Sequence, residues 1–124
     1  MSFRVPRHSD RITYVCGPPG SGKTTYARQH AGERDLVWDL DEVAAAICPA
    51  YATYEERPPG VVALLNRWRS SLIASLISKR ISARAWVIVT SEGMASDLCR
   101  RSGGVVVRMP RIAGESAPVI RRPR

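Results

Sequence analysis

The feature that most constrains the fold of this chain is a full match to the pattern G-x-x-x-x-G-K-[ST], Gly17-Pro18-Pro19-Gly20-Ser21-Gly22-Lys23-Thr24. An apolar segment rich in β-branched residues, residues 12–16, precedes the match and predicts a strand. A helix-forming segment from about 22 to 31 follows it and stops at Gly32. A strand, a glycine-rich turn and a helix in this order predict a loop that holds phosphate through backbone N–H groups.

Each residue type in this loop suits a polyphosphate. Glycines let successive N–H groups turn toward one anion, and the start of a helix adds the positive end of its dipole. We expect Lys23 to reach the β- and γ-phosphates and the Thr24 hydroxyl to bind Mg²⁺. The whole predicted nucleotide-binding set is Gly17, Pro18, Pro19, Gly20, Ser21, Gly22, Lys23, Thr24 and Thr25. A glycine- and proline-rich turn with a chance lysine is the alternative, and it leaves the flanking strand and helix unexplained.

The length of 124 residues predicts one domain and excludes a helicase core or a motor ATPase with an additional helical domain. No apolar run is long enough to span a bilayer, and the N-terminus lacks the pattern of a signal peptide. The three cysteines follow no metal-binding spacing, which is typical of reduced thiols. These features predict a cytoplasmic protein that makes no contact with a membrane.

The net charge of +8 permits nucleic-acid binding, because clustered arginines neutralise phosphates. Many of the arginines lie near the two ends of the chain, where solvated tails explain them equally well. We therefore predict a basic N-terminal arm over residues 1–10, a nucleotide-binding domain over 11–110 and a basic C-terminal tail over 111–124. The tail could grip a nucleic-acid or protein partner.

Strand and helix patterns alternate along the domain, which predicts an α/β fold with a parallel sheet and right-handed crossovers. Further buried strands are predicted at 36–40, 86–90 and 105–109, and helices at 41–47 and 94–101. Residues 49–60 predict a surface loop, in which Tyr51 and Tyr54 could stack on a base or pin the loop to the domain. The long helix that follows has an apolar face that is expected to pack on the sheet: Val61, Leu64, Leu65, Trp68, Leu72 and Leu76.

Two aspartates stand at the C-terminal end of the second strand, at the edge where parallel sheets bind ligands. The spacing Asp39-x-Asp41 points the two carboxylates in different directions, so that one can support Mg²⁺ while the other orients an acceptor hydroxyl. The structural alternative makes Asp41 the N-cap of the helix at 41–47 and Asp39 a turn residue.

The third strand ends in Thr90-Ser91-Glu92, without an aspartate directly after the apolar run. This departure from the common P-loop pattern favours weak hydrolysis. Phosphoryl transfer also needs a cation to take up charge on the transferred group, and Arg100 and Arg101 are the first candidates for it. The alternatives are Arg57, Arg67 and Arg69.

The loop and the segment Trp38-Asp39-Leu40-Asp41-Glu42 together resemble the small P-loop kinases, a group that includes shikimate and gluconate kinases and the 5′-hydroxyl polynucleotide kinases of phages. Over residues 11–110, the resemblance implies a single-domain P-loop NTPase fold with four parallel strands in the order 2-3-1-4, flanked by helices. It also implies ATP on the loop, Asp39 as a support for Mg²⁺ and Asp41 as the residue that contacts or deprotonates the acceptor hydroxyl.

Two hypotheses follow from these residues. The first is an ATP- and Mg²⁺-dependent kinase for a hydroxyl of a small molecule or of a nucleic-acid 5′ end. Its catalytic residues would be Lys23, Asp41, Arg100 and Arg101, and its metal ligands Thr24 and Asp39. The second is a P-loop ATPase or nucleotide-dependent regulatory module that binds nucleic acid or a protein assembly through its arginine-rich ends. The choice of ATP or GTP and the identity of the acceptor stay open.

Overall fold

Nine helices and strands make up the part of the chain that the computed structural model describes, residues 11–48, 57–110 and 119–121. In chain order they are β1 (Ile12–Cys16), α1 (Lys23–His30), β2 (Leu36–Asp39), α2 (Leu40–Ile47), α3 (Val61–Ile77), β3 (Ala85–Val89), α4 (Glu92–Ser102), β4 (Val105–Arg108) and β5 (Val119–Arg121). The predictions for Tyr51, Tyr54, the N-terminal arm and most of the C-terminal tail lie outside the described residues.

The strands form one sheet in the order β2-β3-β1-β4-β5. The first four are parallel, so the predicted parallel sheet with the order 2-3-1-4 is confirmed. β5, which lies within the predicted C-terminal tail, extends the sheet by pairing antiparallel to β4. Cys16 at the end of β1 is in register with Val89 of β3, and Asp39 at the end of β2 is in register with Ile88. Three strands therefore end side by side at one edge of the sheet.

The side chains of β1 point alternately to the two faces of the sheet, and they contribute to a separate core cluster on each face. Ile12, Tyr14 and Cys16 are fully buried in a cluster with Ile73 of α3 and Cys99 of α4. Val15 belongs to a second cluster that contains Ala27 of α1. α1 thus packs on one face, and α3 and α4 pack on the other.

One polar pair lies inside the larger of the two clusters. The hydroxyl groups of Tyr14 and Ser102 are 2.5 Å apart, and Ser102 also donates to the carbonyl of Leu98. Burial raises the pKa of Tyr14, while the hydrogen bond to Ser102 opposes that shift. The pair satisfies two buried hydroxyls and ties β1 to the end of α4.

Two predictions about burial are corrected by this packing. β2 is half-buried along its whole length rather than fully buried, because it is the edge strand of the sheet. In α3 the buried residues are Leu65, Ile73 and Leu76, whereas Trp68 is 43% exposed. The stripe of α3 that faces the sheet is therefore rotated away from the predicted face.

The second predicted helix also begins earlier than expected. α2 starts at Leu40, and Asp39 caps it, so the prediction of Asp41 as the N-cap is wrong. An N-cap needs extended backbone, and Asp39 supplies it as the last residue of β2. Within the described residues, no helix has the length and apolar character needed to cross a membrane.

Gly104 lies in the turn between α4 and β4, and it offers a test of how closely this turn packs against β1. Its φ is +104°, and a Cβ there would lie 2.2 Å from the carbonyl oxygen of Ile12. We expect Gly104→Ala to lower the free energy of unfolding by roughly 2 kcal/mol or more, because both the backbone conformation and the contact are unfavourable. Gly93→Ala is the control, since a Cβ there meets nothing within 4 Å and alanine favours the helix. Urea unfolding measures both variants, and equal midpoints would contradict the prediction.

Candidate functional site

A cavity of about 570 Å³ opens at the edge where β1, β2 and β3 end. The phosphate loop and the start of α1 form one side of it, and the ends of β2 and β3, Thr90 and residues of α2, α3 and α4 form the rest. The lining consists of Pro19, Gly20, Gly22, Lys23, Thr24, Thr25, Asp39, Leu40, Asp41, Val62, Asn66, Arg69, Ile88, Val89, Thr90 and Met94. Its volume is in the range of pockets that hold small ligands.

The phosphate loop presents the start of α1 to this cavity. Gly22 is the N-cap of α1 with φ 85°, a left-handed conformation that glycine adopts without strain. No side chain caps the helix, so its first N–H groups remain available to a ligand. The Lys23 ammonium donates to the carbonyls of Gly17 at 2.9 Å and Pro18 at 3.1 Å. Positive charge and free N–H groups together make this side of the cavity suited to an anion.

The predicted loop residues do not all face the cavity. Gly17, Pro18 and Ser21 are absent from its lining. Ser21 is only 1% exposed, and its hydroxyl lies beneath the loop, where a Cβ on Gly17 would come within 2.7 Å of it. The Ser21 side chain is therefore turned away from the cavity, and only its backbone can serve a phosphate.

Asp39 connects the phosphate loop to α2. The Thr24 hydroxyl donates to its Oδ2 at 2.5 Å, while its Oδ1 accepts from the N–H groups of Asp41 at 3.0 Å and Glu42 at 3.4 Å. One carboxylate thus caps a helix and touches the residue that follows Lys23. The sequence-predicted pair of metal ligands, Thr24 and Asp39, is brought into direct contact.

These two oxygens fit Mg²⁺ in type and number. Magnesium takes oxygen ligands and commonly uses one or two protein groups together with substrate phosphates and water. Residues 11–48, 57–110 and 119–121 contain no group of three or more His, Cys, Asp and Glu that could enclose a metal ion. A shared ion between Thr24, Asp39 and a bound polyphosphate is the arrangement these residues could support.

Asp41 lies at the cavity in the first turn of α2, and Arg57 holds it there. The Arg57 Nη2 donates to its Oδ1 at 2.9 Å. The two partners differ in environment, since the side chain of Asp41 is 73% exposed and that of Arg57 only 6%. The contact occupies Oδ1 of Asp41 and leaves Oδ2 as an oxygen that could accept from a hydroxyl.

The wall opposite the phosphate loop comes from α3. Val62, Asn66 and Arg69 follow one another at spacings of four and three residues, so they lie on one side of the helix. Arg69 is half-buried, and its Nη1 donates to the sulfur of Met94 at 3.4 Å. Burial lowers the pKa of Arg69, Tyr14 opposes this shift, and the positive charge of Arg101 contributes to it more weakly.

The first candidates for the charge-clamping role, Arg100 and Arg101, are not among the residues that line the cavity. Their side chains are 74% and 70% exposed, and both bind Asp97. They lie in the last turn of α4, whereas Met94 in its first turn borders the cavity. A helix that follows a parallel strand runs back toward the opposite edge of the sheet, which carries its last turn away from the site. Of the alternatives, Arg69 lines the cavity and Arg67 is exposed.

The residues after β3 have separate roles. Thr90 lines the cavity, while the Ser91 hydroxyl caps α4 by accepting from the N–H of Met94 at 3.1 Å. Glu92 lies 3.7 Å from the guanidinium of Arg108 on β4 and does not line the cavity. The carboxylates in the cavity lining of the described residues are therefore Asp39 and Asp41.

No sequence motif marked Val62, Asn66 or Met94 as site residues, although all three line the cavity. The signal for the α3 wall was the pair Asn66 and Arg69, two polar residues three positions apart beside the apolar stripe. Periodicity alone does not distinguish a polar stripe that faces solvent from one that faces a cavity.

Comparison with known proteins agrees with this fold. A family model described as an AAA domain matches residues 12–110. A chain in the solved "Structure of the Pnkp1/Rnl/Hen1 RNA repair complex" has the same fold, with a TM-score of 0.60 and 16% identity. The match covers 82% of this chain and 32% of that one, so this chain spans about a third of the length of its structural neighbour. No curated protein matches the sequence.

Asp39 allows its structural and chemical roles to be separated. We expect Asp39→Ala to lower the free energy of unfolding by about 1 kcal/mol, because it removes the cap of α2. Asp39→Asn keeps an oxygen that accepts from the same N–H groups and should stay within a few tenths of a kcal/mol of wild type. Urea unfolding followed by circular dichroism gives both values. Equal losses in the two variants would show that charge, and not capping, dominates at this position.

Proposed function

The chain belongs to the AAA domain family, whose members have a P-loop kinase-like fold, and on this basis we propose that it is an ATP- and Mg²⁺-dependent phosphotransferase acting on a hydroxyl. The resemblance to P-loop kinases that the sequence motifs predicted is confirmed by this family match. The proposal depends on one observation above all. The phosphate loop, the Thr24–Asp39 pair and Asp41 line a single cavity, so a phosphoryl donor and an acceptor fit beside each other.

The loop side of the cavity would bind the triphosphate. The N–H groups at the start of α1 would contact phosphate oxygens, and the Lys23 ammonium would turn toward the β- and γ-phosphates. Lys23 has three N–H donors, so it can keep one carbonyl partner of the loop and still bind phosphate. When bound between Thr24 and Asp39, Mg²⁺ would neutralise charge on the β- and γ-phosphates.

The acceptor would approach from the side of Asp41. In the transfer, the acceptor oxygen bonds to the γ-phosphorus while the bond from that phosphorus to the bridging β–γ oxygen breaks, and ADP leaves with the electron pair. The hydroxyl proton passes to the Asp41 carboxylate and then to solvent. Because Arg57 holds Oδ1 of Asp41, Oδ2 is the oxygen that would face the hydroxyl. Catalysis of this kind consists mainly of positioning and electrostatic stabilisation.

A second function, a nucleotide-dependent regulatory module with weak ATP hydrolysis, is favoured by one observation. Ser91 caps α4 and Glu92 lies beside Arg108, so the residues after β3 contribute no carboxylate to the cavity lining that the structure describes.

An acceptor panel separates the two functions. It measures transfer of labelled phosphate from ATP or GTP to small alcohols, hydroxy acids and 5′-hydroxyl RNA, with water as the control. RNA belongs in the panel because the structural neighbour is part of an RNA repair complex. Transfer to water alone would favour the second function.

We expect Lys23→Ala to reduce phosphoryl transfer by at least about 100-fold, because the cation closest to the loop is lost. The fold should persist, since the Lys23 side chain bonds only to loop carbonyls. Lys79→Ala is the matched control, because Lys79 is exposed beyond the end of α3. Initial rates of label transfer and far-ultraviolet circular dichroism give the two readouts. Similar rates in both variants would count against the proposed role of the loop.

We expect Asp41→Asn to leave nucleotide binding within about twofold of wild type and to lower turnover by roughly 100-fold or more. The carboxylate that orients the hydroxyl and accepts its proton is removed, while the loop is unchanged. Asp97→Asn is the control, since Asp97 pairs with exposed arginines on α4. Nucleotide titration and single-turnover transfer measure the two effects. Wild-type turnover in Asp41→Asn would show that this aspartate does not act on the acceptor.

A further inference from the structure

Arg69 stands out among the charged residues that line the cavity. Asp39 binds Thr24 and caps α2, Asp41 binds Arg57, and Lys23 binds two carbonyls of its own loop. Arg69 makes no ion pair among the described residues, and the hydrogen bond of its Nη1 goes to a thioether sulfur, which is a weak acceptor. Its Nε is buried and has no hydrogen-bond partner in the described part of the chain.

Such a guanidinium is costly to the folded protein. Burial removes water from the cation, and the lowered pKa of Arg69 has this desolvation as its main cause. Buried cations in proteins are normally paired or bound to a ligand. The arrangement is balanced when an anion enters the cavity and accepts from the unpaired N–H groups.

The position of Arg69 indicates which substrate would supply that anion. α1, which carries Lys23 and Thr24, packs on one face of the sheet, whereas Arg69 lies on α3, which packs on the other face with α4. The triphosphate already has the loop, Lys23 and the start of α1 as partners. The α3 wall therefore faces the part of the cavity that remains for the acceptor.

Asn66 completes the polar part of this wall. It lies one turn before Arg69 on the same side of α3, and Val62 and Met94 add apolar surface around the pair. A guanidinium with an amide beside it can donate several parallel hydrogen bonds to a carboxylate or phosphate.

We propose that the acceptor carries an anionic group, a carboxylate or a phosphate, in addition to its hydroxyl, and that Arg69 with Asn66 binds this group. The inference rests on the proposed function and adds the substrate class to it. Asp41 would select the hydroxyl, and Arg69 would set where the rest of the acceptor lies.

The test uses acceptors in matched pairs, in which one member carries an anionic group and the other is neutral. Glycerate is compared with glyceramide, which tests a carboxylate, and glycerol 1-phosphate with glycerol, which tests a phosphate. For the wild type, we expect kcat/KM for the anionic member of at least one pair to exceed that of its neutral partner by at least about tenfold. A preference confined to one pair identifies the type of anion.

The variants assign that preference to Arg69. Arg69→Gln should lower kcat/KM for the anionic acceptor by roughly 10- to 100-fold, mainly through KM, and this loss should exceed the loss for the neutral acceptor or for water by at least about tenfold. Arg69→Lys should restore part of the preference, because it keeps the charge but loses the planar donors. Arg67→Gln is the control, since Arg67 is an exposed arginine two residues earlier on α3. Thermal unfolding checks that each variant is folded.

A binding measurement without turnover distinguishes failure of this inference from failure of the proposed function. Isothermal titration of the four probes into protein that holds a non-hydrolysable ATP analogue should show tighter binding of the anionic members, lost in Arg69→Gln. Anion-specific binding without transfer to any acceptor would overturn the phosphotransferase and retain the anion site. Equal binding within both pairs, or a loss in Arg69→Gln that is the same for every acceptor and for water, would overturn the anion site.

Discussion

The candidate site depends on the parallel register that brings three strand ends to one edge of the sheet. Cys16 of β1 is level with Val89 of β3, and Asp39 of β2 is level with Ile88. The backbone that leaves each strand must then turn over the same edge, so the phosphate loop, α2 and Thr90 become neighbours. α1, α2 and α4 all begin at this edge, and the uncapped N–H groups at the start of α1 are suited to bind an anion.

Asp39 shows how local and tertiary interactions reinforce each other at this edge. Its Oδ1 holds the start of α2, which any aspartate in extended backbone before a helix can do. Its Oδ2 accepts from Thr24 on α1, which depends on the order of the strands in the sheet. One side chain therefore joins the start of α2, which carries Asp41, to the residue that follows Lys23.

Much of the fold could be predicted from the sequence because strands and helices here have clear periods and clear ends. The loop pattern located β1 and α1, and the apolar runs located β3 and β4 within one residue of their observed bounds. The exposed side of α3 could not be predicted in this way. Trp68 continues the apolar pattern but points partly to solvent, because the crossing of α3 over the sheet, and not its own period, decides which stripe is covered.

The sequence by itself determined that a phosphate-binding loop follows a central strand and that two aspartates follow the next strand, because both features are contiguous in the chain. Only the tertiary structure decided which arginine lies in the same cavity as the loop and the two aspartates. Arg100 and Arg101 belong to the helix that follows β3 in the chain. They lie in its last turn, away from the cavity, and Asp97 binds them. Arg69 comes from the middle of a helix with no distinguishing motif, and it reaches the cavity because α3 packs beside the first turn of α4. Contacts between distant segments depend on how helices cross the sheet, and a local pattern does not contain that information.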